Sequence, residues 1–150
     1  MRPVGERALS DAVASVLDAG RRAGETVVCD LPRYPTEAAV AALEVADLTV
    51  LVVPADVRAC AAAARVAAVV AEHGCPSTGL VVRGPAPGGI TPDEIATALD
   101  LPLVAAMRAE RGLARMLEHG EAPGRGRGPL ATAATTVLDA LRAAAAGRAS

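Results

Sequence analysis

Lysine is missing from this sequence: all fifteen Lys+Arg positions are arginine. Such a bias is the ordinary mark of a GC-rich coding sequence, but its chemical consequence holds whatever the cause. No reaction that needs an ε-ammonium can be supplied by this chain alone. Asn, Gln, Phe and Trp are missing as well, and Tyr34 is the one aromatic residue. A core without large rings must be built from small aliphatic side chains, and platforms for stacking nucleic-acid bases are excluded. The formal net charge of −2 gives no general attraction to nucleic acid or to an anionic membrane.

Cysteine is scarce too. Cys29, Cys60 and Cys75 are odd in number and widely spaced, with no C-x-x-C pair and no histidine at ligand spacing. That arrangement argues against zinc and for reduced structural thiols in a cytosolic protein. The opening residues "MRPVGERALSD" contain no apolar signal region, and no uncharged run approaches the roughly 18 residues of a membrane span. The expectation is a chain that is neither exported nor membrane-spanning.

What is present is 150 residues at 52% hydrophobic content, read as a single domain (1–150) able to bury a core. Its apolar pattern alternates between helix and strand periods. Residues Glu6–Arg22 read as an amphipathic helix with Leu9, Val13, Val16 and Leu17 on one face and Gly24 past its end. "TVVCD" (Thr26–Asp30) reads as a buried strand, and Thr36 caps a short helix through Val45. "DLTVLVVP" (Asp47–Pro54) is the next strand, and Asp56 caps a long helix that stops at Gly74.

"TGLVVR" (Thr78–Arg83) is a third strand. "TPDE" (Thr91–Glu94) has a cap threonine, a first-turn proline and a glutamate three residues on, a strong helix start for a segment ending near Asp100. Pro102–Arg108 is a weaker fourth strand. A helix over 110–118, a loop "GEAPGRGRGP", and a last helix marked by Leu130, Ala134, Val137, Leu138 and Leu141 complete the chain, with a frayed tail over 143–150. Strands separated by helices of this length predict an α/β fold: a three-layer α/β/α arrangement around a mainly parallel sheet of about four strands.

Several segments imitate functional motifs. "GPAPGGIT" (Gly84–Thr91) has the glycine spacing of a phosphate loop between a strand and a helix. However, Ile90 stands where the lysine belongs, and Pro85 and Pro87 offer no N–H. It reads as a rigid turn. Arg125 and Arg127 in "GRGRG" make too small a basic patch for nucleic acid. His73 and His119 fall at helix C-termini, where a ring meets terminal carbonyls. Glu118 and Glu121 read as solvated acids beside a loop, and no catalytic triad spacing exists.

Taken in order, "VVCDLPR", "ADLTVLVVPADVRA", "GLVVRGPAPGGI", "ERGLARMLEHGEAP" and "GPLATAATTVLDAL" resemble the C-terminal half of MinD/ParA-type P-loop ATPases, over about residues 27–141. The likeness is greatest to septum-site-determining proteins, near the CpaE-like pilus-assembly proteins. By that resemblance Asp30 takes the position that contacts magnesium and couples the γ-phosphate to a switch, with Leu31–Pro35 as the switch. A carboxylate suits the task because Mg²⁺ seeks hard oxygen ligands beside the phosphates.

The resemblance further implies a base-recognising pair at the end of a later strand. Here that place reads Val82-Arg83, without the amide, so Arg83 and Arg108 remain as base-side wall residues of an incomplete pocket. The lysine-bearing phosphate loop of such ATPases would lie ahead of Met1. Its strand would sit between the strand ending at Asp30 and the one ending at Pro54. Either those two strands close up, or another segment or second chain fills the slot.

The expectations are therefore a partial MinD/ParA-like domain and a cell-division regulatory role in septum-site determination, non-catalytic in this chain. The alternatives are the C-terminal half of an active ATPase completed by a missing segment, or a CpaE-like pilus-assembly adaptor. Mg-ATP would be a cofactor only if that segment completes the site. Protein partners of the division or pilus machinery, a homodimer, and a cytoplasmic location peripheral to the septum or pole follow from the same resemblance.

Overall fold

The structure, a computed structural model, describes residues 4–73 and 76–148. Its elements run α1 (Val4–Arg22), α2 (Glu37–Val45), β1 (Thr49–Pro54), α3 (Val57–Glu72), β2 (Thr78–Arg83), α4 (Pro92–Leu99), β3 (Leu103–Met107), α5 (Leu113–Glu118) and α6 (Pro129–Arg148). This is an α/β fold. Its sheet has three parallel strands in the order β1-β2-β3, flanked by helices.

The local signals place the helices well. Thr36 accepts a hydrogen bond from the Ala39 N–H at 3.1 Å, and Asp56 accepts one from the Ala59 N–H at 2.8 Å, so α2 and α3 begin where their cap residues stand. Thr91 and Glu94 form a full capping box with Pro92 in the first turn of α4. Gly24, at φ +75°, lets the chain leave α1 through a left-handed turn. The helix stop expected at Gly74, and Cys75, lie outside the described residues; α3 itself ends at Glu72, with His73 following as its C-cap.

Central strand β2 carries the core. Leu80 and Val82 face Val53, Ala55, Ala63, Ile95 and Leu99, so β1, β2, α3 and α4 share one apolar cluster. Val81, which alternation turns to the other face, is only 4% exposed, so β2 is covered on both sides as parallel strands require. The parallel register runs from Thr49↔Thr78 to Pro54↔Arg83, whereas β2–β3 slips by one residue between Leu80 and Val81. The slip admits Val104 as an extra residue, and the space it needs is left open by Gly79, where any Cβ would collide with the Val104 side chain.

The expected strand Thr26–Asp30 does not form. The segment has no secondary structure, makes no backbone hydrogen bond with another described residue, and leaves Val28 85% exposed. A buried-strand pattern needs a neighbouring strand to pair with, and α1 and α2 pack on each other instead, burying Leu17, Ala39, Ala42 and Leu43. The sheet thus has three strands rather than about four. Nor do the strands on either side of the expected slot close up, because β1 ends the sheet and Val52 on it is 62% exposed.

Two helical faces also differ from the expected ones. On α1, Leu17 is buried but Leu9 and Val16 are 59% and 68% exposed. On α6, Ala133 is the buried residue, whereas Ala134 and Leu138 are exposed. α6 packs along β3 and stays helical through Arg148, past the end expected near Ala143. Its final turn is anchored. Arg148 Nη1 donates to the Ala46 carbonyl at 2.9 Å and to Asp47 Oδ1 at 3.1 Å, while Arg21 donates to the Val45 carbonyl at 2.9 Å and to the same Asp47 oxygen at 3.0 Å.

Asp47 therefore clasps the ends of α1 and α6 to the turn that leads into β1. Ion pairs exposed to this extent are worth about 0.2–1 kcal/mol each. Asp47→Ala is expected to lower unfolding free energy by about 1 kcal/mol and to accelerate amide exchange in the last turns of α1 and α6 together. Urea titration and hydrogen–deuterium exchange check both effects.

Candidate functional site

In an open parallel sheet the ligand-binding crevice lies beyond the carboxyl ends of the strands. Here that end carries a hollow of about 540 Å³, within the roughly 300–1,000 Å³ typical of ligand sites. Ala55 and Val82, 2% and 1% exposed, close it from beneath. Ile90 and Met107 line it, with the Gly84–Ala86 turn and Arg108 at its mouth. The surface is thus mostly aliphatic, with one guanidinium.

The turn over residues 84–91 has part of its N–H groups already committed. The Gly84 N–H donates to the Met107 carbonyl at 2.8 Å, and the Gly89 N–H donates to the Ala86 carbonyl at 3.0 Å. Pro85 and Pro87 lack the group altogether. Thr91 N–H donates to Glu94 Oε2 at 2.7 Å, so the α4 N-terminus, where an anion would settle, already holds a carboxylate. The rigid-turn reading of "GPAPGGIT" is the one that fits these bonds.

The three residues expected to serve a nucleotide are not gathered at one site. Asp30 ends the unpaired segment Thr26–Asp30, is exposed, and makes no ion pair or hydrogen bond with another described residue. Arg83 and Arg108 stand at the carboxyl ends of neighbouring strands, Arg83 in register with Met107. Alternation puts Arg83 with Val81 on the face away from the Leu80–Val82 core, whereas Arg108 lines the crevice. Only Arg108 thus belongs to it. Neither arginine is ion-paired with a described carboxylate.

The apolar lining was not singled out from the sequence. Its signal is weak, because Val82, Ile90 and Met107 read equally well as core until the turn between β2 and α4 leaves a space beside them.

Other candidate chemistry is satisfied locally. His119 Nδ1 donates to the Arg115 carbonyl at 2.8 Å, the helix-end role expected of it. Cys29 and Cys60 are free thiols, exposed and half-buried, and no group of three metal-binding side chains occurs among the described residues. Arg125 and Arg127 are exposed in the loop before α6, as are Glu118 and Glu121 near the end of α5. A second hollow, beside Asp18, Arg21 and Val45, borders the clasp at the end of α1.

With this geometry the protein is an α/β domain with a small aliphatic crevice at the strand ends. No family model matches the chain. It is similar to the uncharacterized protein MT3760 of Mycobacterium tuberculosis strain CDC 1551 / Oshkosh and to the uncharacterized protein Rv3660c of strain ATCC 25618 / H37Rv. Each is 56% identical over 136 residues, covering 91% of this chain but 39% of the relative. The chain therefore spans about two-fifths of the length of the curated relatives it matches. Among the described residues no helix is long and apolar enough to cross a membrane.

The capping box at the start of α4 is sensitive to pH. Hydrogen bonds from the Thr91 backbone and then its hydroxyl hold the Glu94 carboxyl below its ordinary pKa. A depressed carboxyl stabilises the fold above its unfolded-state pKa, and that contribution is lost as pH falls through the folded value. α4 should therefore loosen at its start in the acid range below the usual glutamate pKa. Glu94→Gln should lose this pH dependence, and Thr91→Ala should cost about 1 kcal/mol at neutral pH. Thermal melts across that pH range read both outcomes.

Proposed function

We propose that this chain is part of a MinD/ParA-like, septum-site-determining regulator that works through protein contacts and does not hydrolyse ATP by itself. The observation that carries the reading is the separation of the parts. Asp30, the magnesium position by resemblance, lies on an unpaired exposed segment, and the turn beside Arg108 has its Gly84, Gly89 and Thr91 amides committed elsewhere. A nucleotide's phosphates need an ammonium or guanidinium and several inward N–H groups together. Losing an electrostatic partner of this kind weakens a transition state by several kcal/mol, on the order of 2.7–4 for a single donor.

A second reading has its own support. β1 has a free edge, Thr26–Asp30 has strand composition without a partner, and the relatives are much longer than this chain. These features suit the C-terminal half of an ATPase whose sheet and phosphate site are completed by another segment. Calorimetric titration of this chain with Mg-ATP separates the two readings. No saturable heat up to millimolar nucleotide is expected, whereas saturable binding abolished by Asp30→Ala would transfer the case to the ATPase. A fluorescently tagged copy in dividing cells is expected at mid-cell, with filamentation on overexpression; a polar focus without a division phenotype would favour the pilus-assembly role.

A further inference from the structure

We infer that the crevice at the carboxyl ends of β1–β3 is a docking site for the apolar C-terminus of a partner protein, with the terminal carboxylate on Arg108. The inference deepens the reading of the chain as a regulator acting through protein contacts, and rests on it.

Three observations select this occupant. The inner surface of the crevice is aliphatic, formed by Ala55, Val82, Ile90, Ala106 and Met107, so the buried part of a ligand must be apolar. The polar contribution is one cation, Arg108, exposed at the mouth and without an ion-pair partner among the described residues. A guanidinium matches a carboxylate with two parallel N–H···O bonds. One apolar body joined directly to one carboxylate is the chemistry of a polypeptide C-terminus, where the last side chain and the terminal charge leave the same Cα.

Competing anions fit less well. A phosphate would need several amide donors together, but Gly84 and Gly89 spend theirs on the Met107 and Ala86 carbonyls, Thr91 on Glu94, and Pro85 and Pro87 have none, which leaves the turn only Ala86, Gly88 and Ile90. A nucleic acid would bring many charges to a single crevice arginine, on a chain of formal net charge −2 with no aromatic residue but Tyr34. Among the acids near the lining in sequence, Glu110, two residues past Arg108, accepts from the Leu130 N–H at 2.9 Å. Asp56 is occupied capping α3 and Glu94 capping α4, and Asp93 stands beside it in the same turn.

The test is fluorescence anisotropy with a fluorescein-labelled hexapeptide, Ala-Ala-Ala-Ala-Leu-Leu, made with a free C-terminal carboxylate and as its C-terminal amide. The acid is expected to bind saturably and the amide about tenfold more weakly, the size of a lost charged hydrogen bond. In Arg108→Ala the difference between acid and amide should vanish, while Arg83→Ala, on the other face, should leave it intact. Thermal melts of both variants verify folding, and a general structural effect would not erase discrimination between two forms of one peptide.

Equal binding of acid and amide, or discrimination that survives Arg108→Ala, overturns the proposal. So does saturable calorimetric binding of free 4-methylpentanoate with the peptide itself silent, which would mark a small-acid site, or binding of single-stranded oligothymidylate in place of the peptide. A silent peptide alongside silent Mg-ATP removes the docking site and leaves the non-catalytic reading standing, since that reading is measured by the nucleotide titration.

Discussion

Burial of β2 on both faces is the constraint on which the rest of the structure depends. A central parallel strand is normally covered on both faces, because its crossover helices return over the sheet. Leu80 and Val82 are almost fully buried beneath α3 and α4, and Val81 is nearly so on the opposite face. With no large ring available in the core, close approach replaces bulk. Alanines on α3 come down onto β1, and Gly79 yields its Cβ volume to Val104 across the slipped register. The same register brings Arg83 and Met107 level and fixes where Arg108 emerges, so the crevice is a consequence of how β2 is packed.

Away from that centre the structure is more loosely held. α1 and α2 form their own small apolar contact around Leu17, Ala39, Ala42 and Leu43, and their link to the sheet runs through the turn at Ala46–Leu48. Two arginines serve as clasps here. Arg21 and Arg148 each bond a main-chain carbonyl and the shared Asp47 oxygen, a task that a planar, multiply donating head group performs better than a point charge. The lysine-free composition thus has a structural counterpart, in cations used to tie helix ends to the main chain.

Much of this was legible in the sequence, and the reasons differ by element. Thr36, Asp56 and Thr91 sit beside the backbone N–H groups they satisfy, so their helix starts depend on a few neighbouring residues and are found correctly. β2 was found to the residue because its apolar run is bounded by Ser77 and by the Gly84-Pro85 turn. Thr26–Asp30 misled because Val27, Val28 and Cys29 state only that a strand would be buried there, not that a neighbour exists to pair with it. On α6 an alanine-rich surface weakens the 3.6-residue signal, and the buried stripe falls at Ala133 rather than Ala134 and Leu138. The site was the least legible part. Arg83 and Arg108 were recognised as strand-end residues, but one register position separates a residue on the crevice side from one on the opposite face.

The free edge of β1 bears on how such a domain exists in solution. Its exposed Val52 carries no charge, and no further strand covers its outer edge among the described residues. Natural sheets rarely leave an apolar edge in this condition, because it invites pairing with any available strand. Pro54 blocks only the last position of the edge, where it removes a donor. The exposed Val28 and Cys29 repeat the same feature on the segment between α1 and α2. The strand-end crevice is independent of that edge. It is formed at the strand ends by β2, β3, the turn into α4 and Ala55 just past β1, so a strand added along the β1 edge would leave its aliphatic lining and its single guanidinium in place.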